Sequence, residues 1–291
     1  MKIKFLGSRG SIPTPGSQFS EYGGNTSCLQ IIDNEDNYII LDAGSGIKNL
    51  SKYALESPKK ESIILLTHFH WDHIIGIPFF IPFYSKDFKF TIYGPKDSST
   101  EMYETINHIL AKDYFPINLD QFAAKLEFDA FYEGKVVNFA NMKIEALWAN
   151  HSCYTLSYKI TSNNKVIVYL TDHEPYKKRL HIVHPSIQHL SSDLLHARLI
   201  DYIRGADIII VEGEYTTKEY ESHVGWGHST FNDAIQLAID ANIPYVVIHH
   251  HNQERTDEQL KLIHHKFLAY LKKENINIKL AFAKENTFIE L

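Results

Sequence analysis

Short apolar runs rich in β-branched and aromatic residues recur along the chain, each bounded by Gly, Asn or Asp. That pattern predicts many strands and few helices. Strands are expected at Lys2–Gly7, Cys28–Ile32, Tyr38–Asp42, Ser62–Thr67 and Lys89–Tyr93. More follow at Met142–Trp148, Thr155–Ile160, Val166–Thr171, Asp207–Val211 and Tyr245–His249. Apolar positions at helical spacing predict helices over Thr100–Ala111, Thr230–Ala241 and Asp257–Lys273. Ser229 is the expected N-cap of the second, and Asp257 is expected to begin the third. Segment 174–200 has irregular spacing and reads as an insertion with some helix near its end. No linker, repeat or low-complexity tract divides the chain, so one domain over residues 1–291 is expected.

Composition changes the picture in one respect. Seventeen His outnumber fourteen Gly, far more imidazole than packing needs, and several are clustered. The net charge of −6 argues against a protein that blankets a phosphate backbone with Lys and Arg, so nucleic acid is not the expected partner. A small anion neutralised locally by a cation stays open. Cys28 and Cys153 are too few for a disulfide framework or a thiolate zinc site, which fits a reducing cytoplasm. The longest apolar run, Ile74 to Tyr84, falls short of the roughly 20 residues that span a bilayer, and the N-terminus lacks the apolar core of a signal peptide. A membrane location is therefore not expected.

The chemistry concentrates at strand ends. Thr67–His73 reads THFHWDH, three imidazoles and a carboxylate directly after a buried-looking strand. His68 and His70 can face one point while Asp72 and His73 face another, and such nitrogen and oxygen donors suit zinc, manganese or iron. Later strands also end in a His or an acid: His151, Asp172-His173, Glu212 and His250-His251. One such residue is usually a turn former. Their recurrence at successive strand ends, where α/β sites are built, points to a shared metal centre.

These motifs resemble the metallo-β-lactamase superfamily, whose fold is an α/β, four-layer αββα sandwich. The resemblance extends over nearly the whole chain through Phe5–Ser11, Tyr22–Ser27, Leu41–Gly46, Thr67–His73 and Gly225–Thr230. It is strongest to the phosphodiesterase branch, which includes cyclic-nucleotide and phosphoribosyl cyclic phosphodiesterases and is related to the tRNA 3′-processing endonucleases. The resemblance implies two divalent ions, zinc first and manganese or iron also admissible. His68, His70 and His151 would hold one, Asp72, His73 and His250 the other, and Asp172 would bridge them. Spacing favours His250 over His249 as the last ligand. Asn252-Gln253 replaces the Asp-Pro that similar sequences often carry.

The resemblance further implies that His228 protonates the leaving oxygen, that Glu212 orients it, and that Asp72 completes the catalytic set. A homodimer is also expected from it. The leading expectation is hydrolysis of cyclic mononucleotides such as cAMP, cGMP, cCMP or cUMP. A phosphoribosyl 1,2-cyclic phosphodiesterase, a tRNA 3′-processing endonuclease and a non-catalytic cyclic-nucleotide sensor are the alternatives. Among supporting residues, Arg9 could meet a phosphate or sit in a buried ion pair. Tyr114-Phe115 and Trp226 offer aromatic surface for a base. His181, His184, His189 and His196 read as surface or interface residues.

Overall fold

The computed structural model describes residues 1–181 and 184–291. Among these, two seven-stranded mixed sheets form the centre. The first contains β1 (Lys2–Gly7), β2 (Cys28–Ile32), β3 (Tyr38–Leu41), β4 (Glu61–Leu65), β5 (Lys89–Gly94) and β6 (Lys125–Ala130). The second contains β7 (Val136–Phe139), β8 (Met142–Trp148), β9 (Leu156–Ser162), β10 (Lys165–Leu170), β11 (Ile208–Glu212), β12 (Tyr245–His249) and β13 (Lys279–Phe282). The chain then returns to the first sheet as β14 (Phe288–Glu290), antiparallel to β1. The sheet orders are β14-β1-β2-β3-β4-β5-β6 and β13-β12-β11-β10-β9-β8-β7. In each, one half pairs antiparallel and the other parallel.

Helices α1 (Ser51–Glu56), α2 (Trp71–Ile74) and α3 (Ser99–Ile109) precede the second sheet; α4 (Ser192–Ile203), α5 (Thr217–Tyr220), α6 (Phe231–Asp240) and α7 (Asp257–Lys273) follow its first strands. Side-chain alternation in β3 and β4 assigns the layers. Ile39, Leu41, Ile63 and Leu65 join the core shared with β8–β12, while Tyr38, Ile40 and Ile64 join a separate core with Ala54, Ile74, Met102 and Ile106 of α1–α3. On the other side, α6 packs on β11 and β12 and α7 on β13, through Ala234, Ala238, Leu260 and Leu271. The result is helix, sheet, sheet, helix, the sandwich the motifs imply. Strands buried on both faces are why β3, β4, β11 and β12 are nearly continuous apolar runs.

Some local expectations change. The apolar pattern does not predict β6, β7, β13 and β14, because Lys125–Ala130 interleaves charged residues and the others have only three or four residues each. Thr230, not Ser229, caps α6: its hydroxyl accepts from Asp233 N–H while the Asp233 carboxylate accepts from Thr230 N–H, a reciprocal capping box. Ser229 instead directs its N–H (2.8 Å) and hydroxyl (3.2 Å) to Glu212. The helix near the end of segment 174–200 is α4, and a third helix does begin at Asp257, with Thr256 as its cap. Among the described residues, no helix is long and apolar enough to cross a membrane.

Candidate metal centre

The strand ends of both sheets meet at one buried point. After β4 the chain runs through Thr67 and His68, and His70 stands just before the single turn of α2, which carries Asp72 and His73. The second half of the motif is thus helical rather than looped. His151 follows β8, Asp172 follows β10, Glu212 ends β11 and His250 follows β12.

Asp172 sits in the middle with its two oxygens turned to different partners. Oδ2 lies 3.4 Å from His68 Nε2 and 3.7 Å from His151 Nε2. Oδ1 lies 3.5 Å from His73 Nε2 and 3.3 Å from His250 Nε2. His70 Nδ1 is 3.1 Å from His151 Nε2. Asp72 Oδ2 is 3.3 Å from His73 Nε2 and 3.1 Å from His250 Nε2. All seven residues named from the sequence as ligands are therefore brought together. Donor atoms spaced in this way match the about 3.3 Å separation expected between tetrahedral ligands held at about 2.0–2.1 Å from a zinc-like ion. His68 Nε2 and His73 Nε2 are buried and make no hydrogen bond. A buried polar nitrogen without a partner is costly, and a cation would satisfy both. These residues fit divalent metal.

Protonation at His151 and Asp172 favours the same use, while at His73 and His250 burial opposes the charge but the surrounding carboxylates outweigh it and raise the imidazoles. Burial drives His151 down to about 3, so its imidazole stays neutral and can donate a lone pair. Burial works to raise Asp172, but His250, His73 and His68 outweigh it and hold its carboxyl well below the usual range.

Neighbours fix the rings. His73 Nδ1 faces Asp42 Oδ2 at 2.8 Å, and Asp42 also accepts from Thr67 N–H and from the Tyr169 hydroxyl. His151 Nδ1 faces the Gly227 carbonyl at 2.7 Å. Gly227 has φ +92°, and a Cβ there would lie 2.2 Å from His151 Nδ1, so only glycine serves. Likewise a Cβ on Gly10 would strike the His250 ring at 2.2 Å. His250 itself has φ +55°. This left-handed residue ends the strand and swings its ring into the site, while His249 and His251 bond to the carbonyls of Gly7 and Ala283.

His228 flanks the centre. Its ring lies 5.2 Å from those of both His151 and His250, and its Nδ1 is 3.5 Å from Glu212 Oε1 and from Glu214 Oε2. Burial opposes its charge, but Glu214 and Glu212 prevail and raise it to about 9, so it holds a proton at neutral pH. With Nδ1 turned to the carboxylates, Nε2 opens onto a cavity of about 450 Å³ lined by Tyr215, Trp226, Asn252, Glu254 and Arg255 among others.

Other candidates separate. Arg9 is fully buried: it donates to the Gly23, Asn252 and Arg255 carbonyls and lies 3.5 Å from Asp257, so it is not free for a phosphate. Trp226 lines the cavity beside His228, whereas Phe115 packs edge-on against Phe79. His181 is half-buried, and its Nε2 meets Glu174 at 2.6 Å. His184 stacks on Trp148 at 4.2 Å.

Two carboxylates escaped the sequence reading. Glu174 accepts from Gly225 and Gly227 N–H, at 2.9 and 3.0 Å, and so pins the loop that carries His228. Glu214 stands two positions beyond Glu212, a spacing that keeps both on one side of an extended chain and could have flagged it.

The fold and this donor set define a metal-dependent hydrolase scaffold. The model of the beta-lactamase superfamily domain matches residues 37–251, well over half of the chain, and the chain belongs to that family. Among relatives, ribonuclease Z of Nanoarchaeum equitans is 23% identical over 283 residues, covering 85% of this chain and 82% of its own. Two solved structures share the fold across all of this chain. The metallo-beta-lactamase fold protein YhfI of Bacillus subtilis has a TM-score of 0.69 at 16% identity, with 99% of its own chain covered. The short form of human tRNase Z has 0.66 at 15% identity, also with 99% covered.

Proposed function

We propose that this protein is a two-metal phosphodiesterase that opens the cyclic phosphodiester of a mononucleotide. The placement of Asp172 between two groups of donors, with His228 alongside, carries this reading. His68, His70 and His151 would hold one divalent ion and Asp72, His73 and His250 the second, with Asp172 shared; zinc suits the set, as do manganese and iron. Bound there, the ions would supply positive charge for the phosphate oxygens and the acidity that makes water a nucleophile at neutral pH.

The chain's own residues do the rest. His228 presents a protonated Nε2 to the cavity and gives that proton to the leaving alkoxide. With a 3′,5′-cyclic substrate, hydroxide oxygen forms a bond to phosphorus, the P–O3′ bond breaks, O3′ takes the proton, and a 5′-monophosphate results. Glu212 fixes the backbone under His228 through the N–H groups of Ser229 and His173.

The relatives named ribonuclease Z favour a second reading, cleavage at a tRNA 3′ end. The cavity beside His228 argues for the smaller substrate. It is lined by Glu214, Glu219 and Glu254, and its Arg255 is already bonded to both oxygens of Glu219. A polyanion would meet net negative charge there.

Incubation of metal-loaded protein with cyclic mononucleotides and with precursor tRNA tests both readings. Monophosphate from at least one cyclic mononucleotide is expected. Cleavage of precursor tRNA alone, weakening steeply with salt, would replace the first reading by the second. Tight cyclic-nucleotide binding without turnover would make the protein a sensor.

A further inference from the structure

Three buried polar atoms beside the metal centre have no hydrogen-bond partner: Glu214 Oε2, His228 Nδ1 and His250 Nδ1. They face one another. Glu214 Oε2 is 3.3 Å from His250 Nδ1 and 3.5 Å from His228 Nδ1. The two rings stack at 5.2 Å with 24° between their planes, so both present the same edge to the carboxylate. The other oxygen of Glu214 accepts from Asn252 Nδ2 at 3.1 Å. The side chain is 3% exposed, so water does not compete for it.

Glu212 differs. Its Oε1 accepts N–H groups from His173 and Ser229, and its Oε2 accepts Glu214 N–H at 3.3 Å. Its oxygens are committed to the backbone of the surrounding loops. Glu212 Oε1 also lies 3.5 Å from His228 Nδ1, but it already accepts two backbone N–H groups, whereas Glu214 Oε2 accepts none and alone of the four oxygens faces both rings.

We propose that Glu214 is a positioning residue that, through one carboxylate oxygen, orients both the proton donor His228 and the metal ligand His250. A ring that donates its Nδ1 proton to a carboxylate is fixed in the tautomer whose Nε2 faces outward. For His250, that Nε2 faces Asp72 and Asp172. For His228, it faces the cavity. One side chain thus sets the angle between the donor and the centre, and Glu212 anchors the loops beneath. This inference rests on the phosphodiesterase reading with His228 as donor.

The test uses full-length protein and two substrates. Bis(4-nitrophenyl) phosphate has a leaving group that needs no proton, whereas a 3′,5′-cyclic mononucleotide has an alkoxide that does. His228→Ala is the reference and should lose about 10²–10⁴-fold on the cyclic nucleotide but only a few-fold on the nitrophenyl ester. Glu214→Gln should show the same split, with a loss of about 10–100-fold against a few-fold, and should release one of two bound zinc ions to a chelator about 10–100-fold more readily. Glu214→Asp, which keeps the charge but withdraws it by one methylene, should show a weaker form of both effects and serves where the Gln variant does not fold. Equal losses on the two substrates with zinc retention unchanged would overturn the role of Glu214, while the His228→Ala split would still uphold the parent reading. Equal losses in His228→Ala itself would remove the donor, and this role for Glu214 with it.

Discussion

The two halves of the centre use similar ligands but are held differently. On one side, charged oxygens or backbone fix every donor: Asp42 holds His73, Ser11 N–H holds Asp72 at 2.8 Å, and Glu214 faces His250. On the other, neutral oxygens do the work. The Gly227 carbonyl meets His151, the Thr67 hydroxyl lies 3.1 Å from His68 Nδ1, and His70 is half-buried with no hydrogen bond to its Nε2 among the described residues. A carboxylate behind an imidazole makes it a stronger and better aimed ligand. The half built on Asp72, His73 and His250 is therefore preorganised, and the half built on His68, His70 and His151 is the more open. Further, a cavity lined by Phe69, Lys96, Trp148 and Tyr154 adjoins His70. Tighter retention is expected on the Asp72 side and easier exchange on the His70 side.

Asp172 belongs to both halves, and its loss should have the largest effect. Asp172→Asn is expected to lower turnover by about 10³-fold or more and to weaken both ions, since a shared charge is removed. Metal content after dialysis, measured beside activity, checks this. A variant that keeps both ions at full strength would show that the halves do not share this residue.

The asymmetry itself is tested by stepwise chelation. One ion should leave first, and anomalous scattering should find the survivor among Asp72, His73 and His250. Asp42→Asn should erase the difference by weakening that side about 10–100-fold. A survivor beside His70 would reverse the comparison. Next in size, Gly227→Ala should disturb the open half alone. The added Cβ lies 2.2 Å from His151 Nδ1 at a backbone angle only glycine adopts freely, so about tenfold weaker retention of the first ion is expected.

The same contrast explains what could be read from the sequence. The His68–His73 cluster is contiguous, so its chemistry was visible at once, and β4 before it is a plain apolar run. His151, Asp172 and His250 are scattered, and each alone resembles a turn residue. Their convergence could be inferred only because several strand ends repeat the pattern. What the sequence did not reveal are contacts set by tertiary geometry. Glu174 reaches across fifty residues to Gly225 and Gly227, and Arg9 finds carbonyls some 240 positions away; no periodicity encodes either. β6 and β13 lack a plain apolar run for a related reason: both are edge strands, Lys125, Glu127 and Asp129 interrupt β6, and β13 has only four residues and opens on the exposed Lys279.

The smallest expected effect lies on the cavity wall beyond His228, outside both halves, and it separates stability from metal chemistry. Burial works to raise Glu219, but hydrogen bonds from Arg255 and from Thr216 outweigh it and hold the carboxyl down at about 2. A carboxyl depressed in the folded state stabilises the fold above its ordinary pKa of 4.5, and that contribution fades as pH falls from there toward about 2. Because Glu219 is partly open to solvent, the contribution is small, at most about 1 kcal/mol. Urea unfolding of Glu219→Gln should therefore show a modest deficit at pH 7 that shrinks by pH 3, with zinc content unchanged at pH 7. A deficit that persists undiminished at pH 3 would mean that the charge pair with Arg255 contributes nothing and that Glu219 acts only through its cap on α5. Loss of zinc would instead tie this wall to the centre and blur the division between the halves.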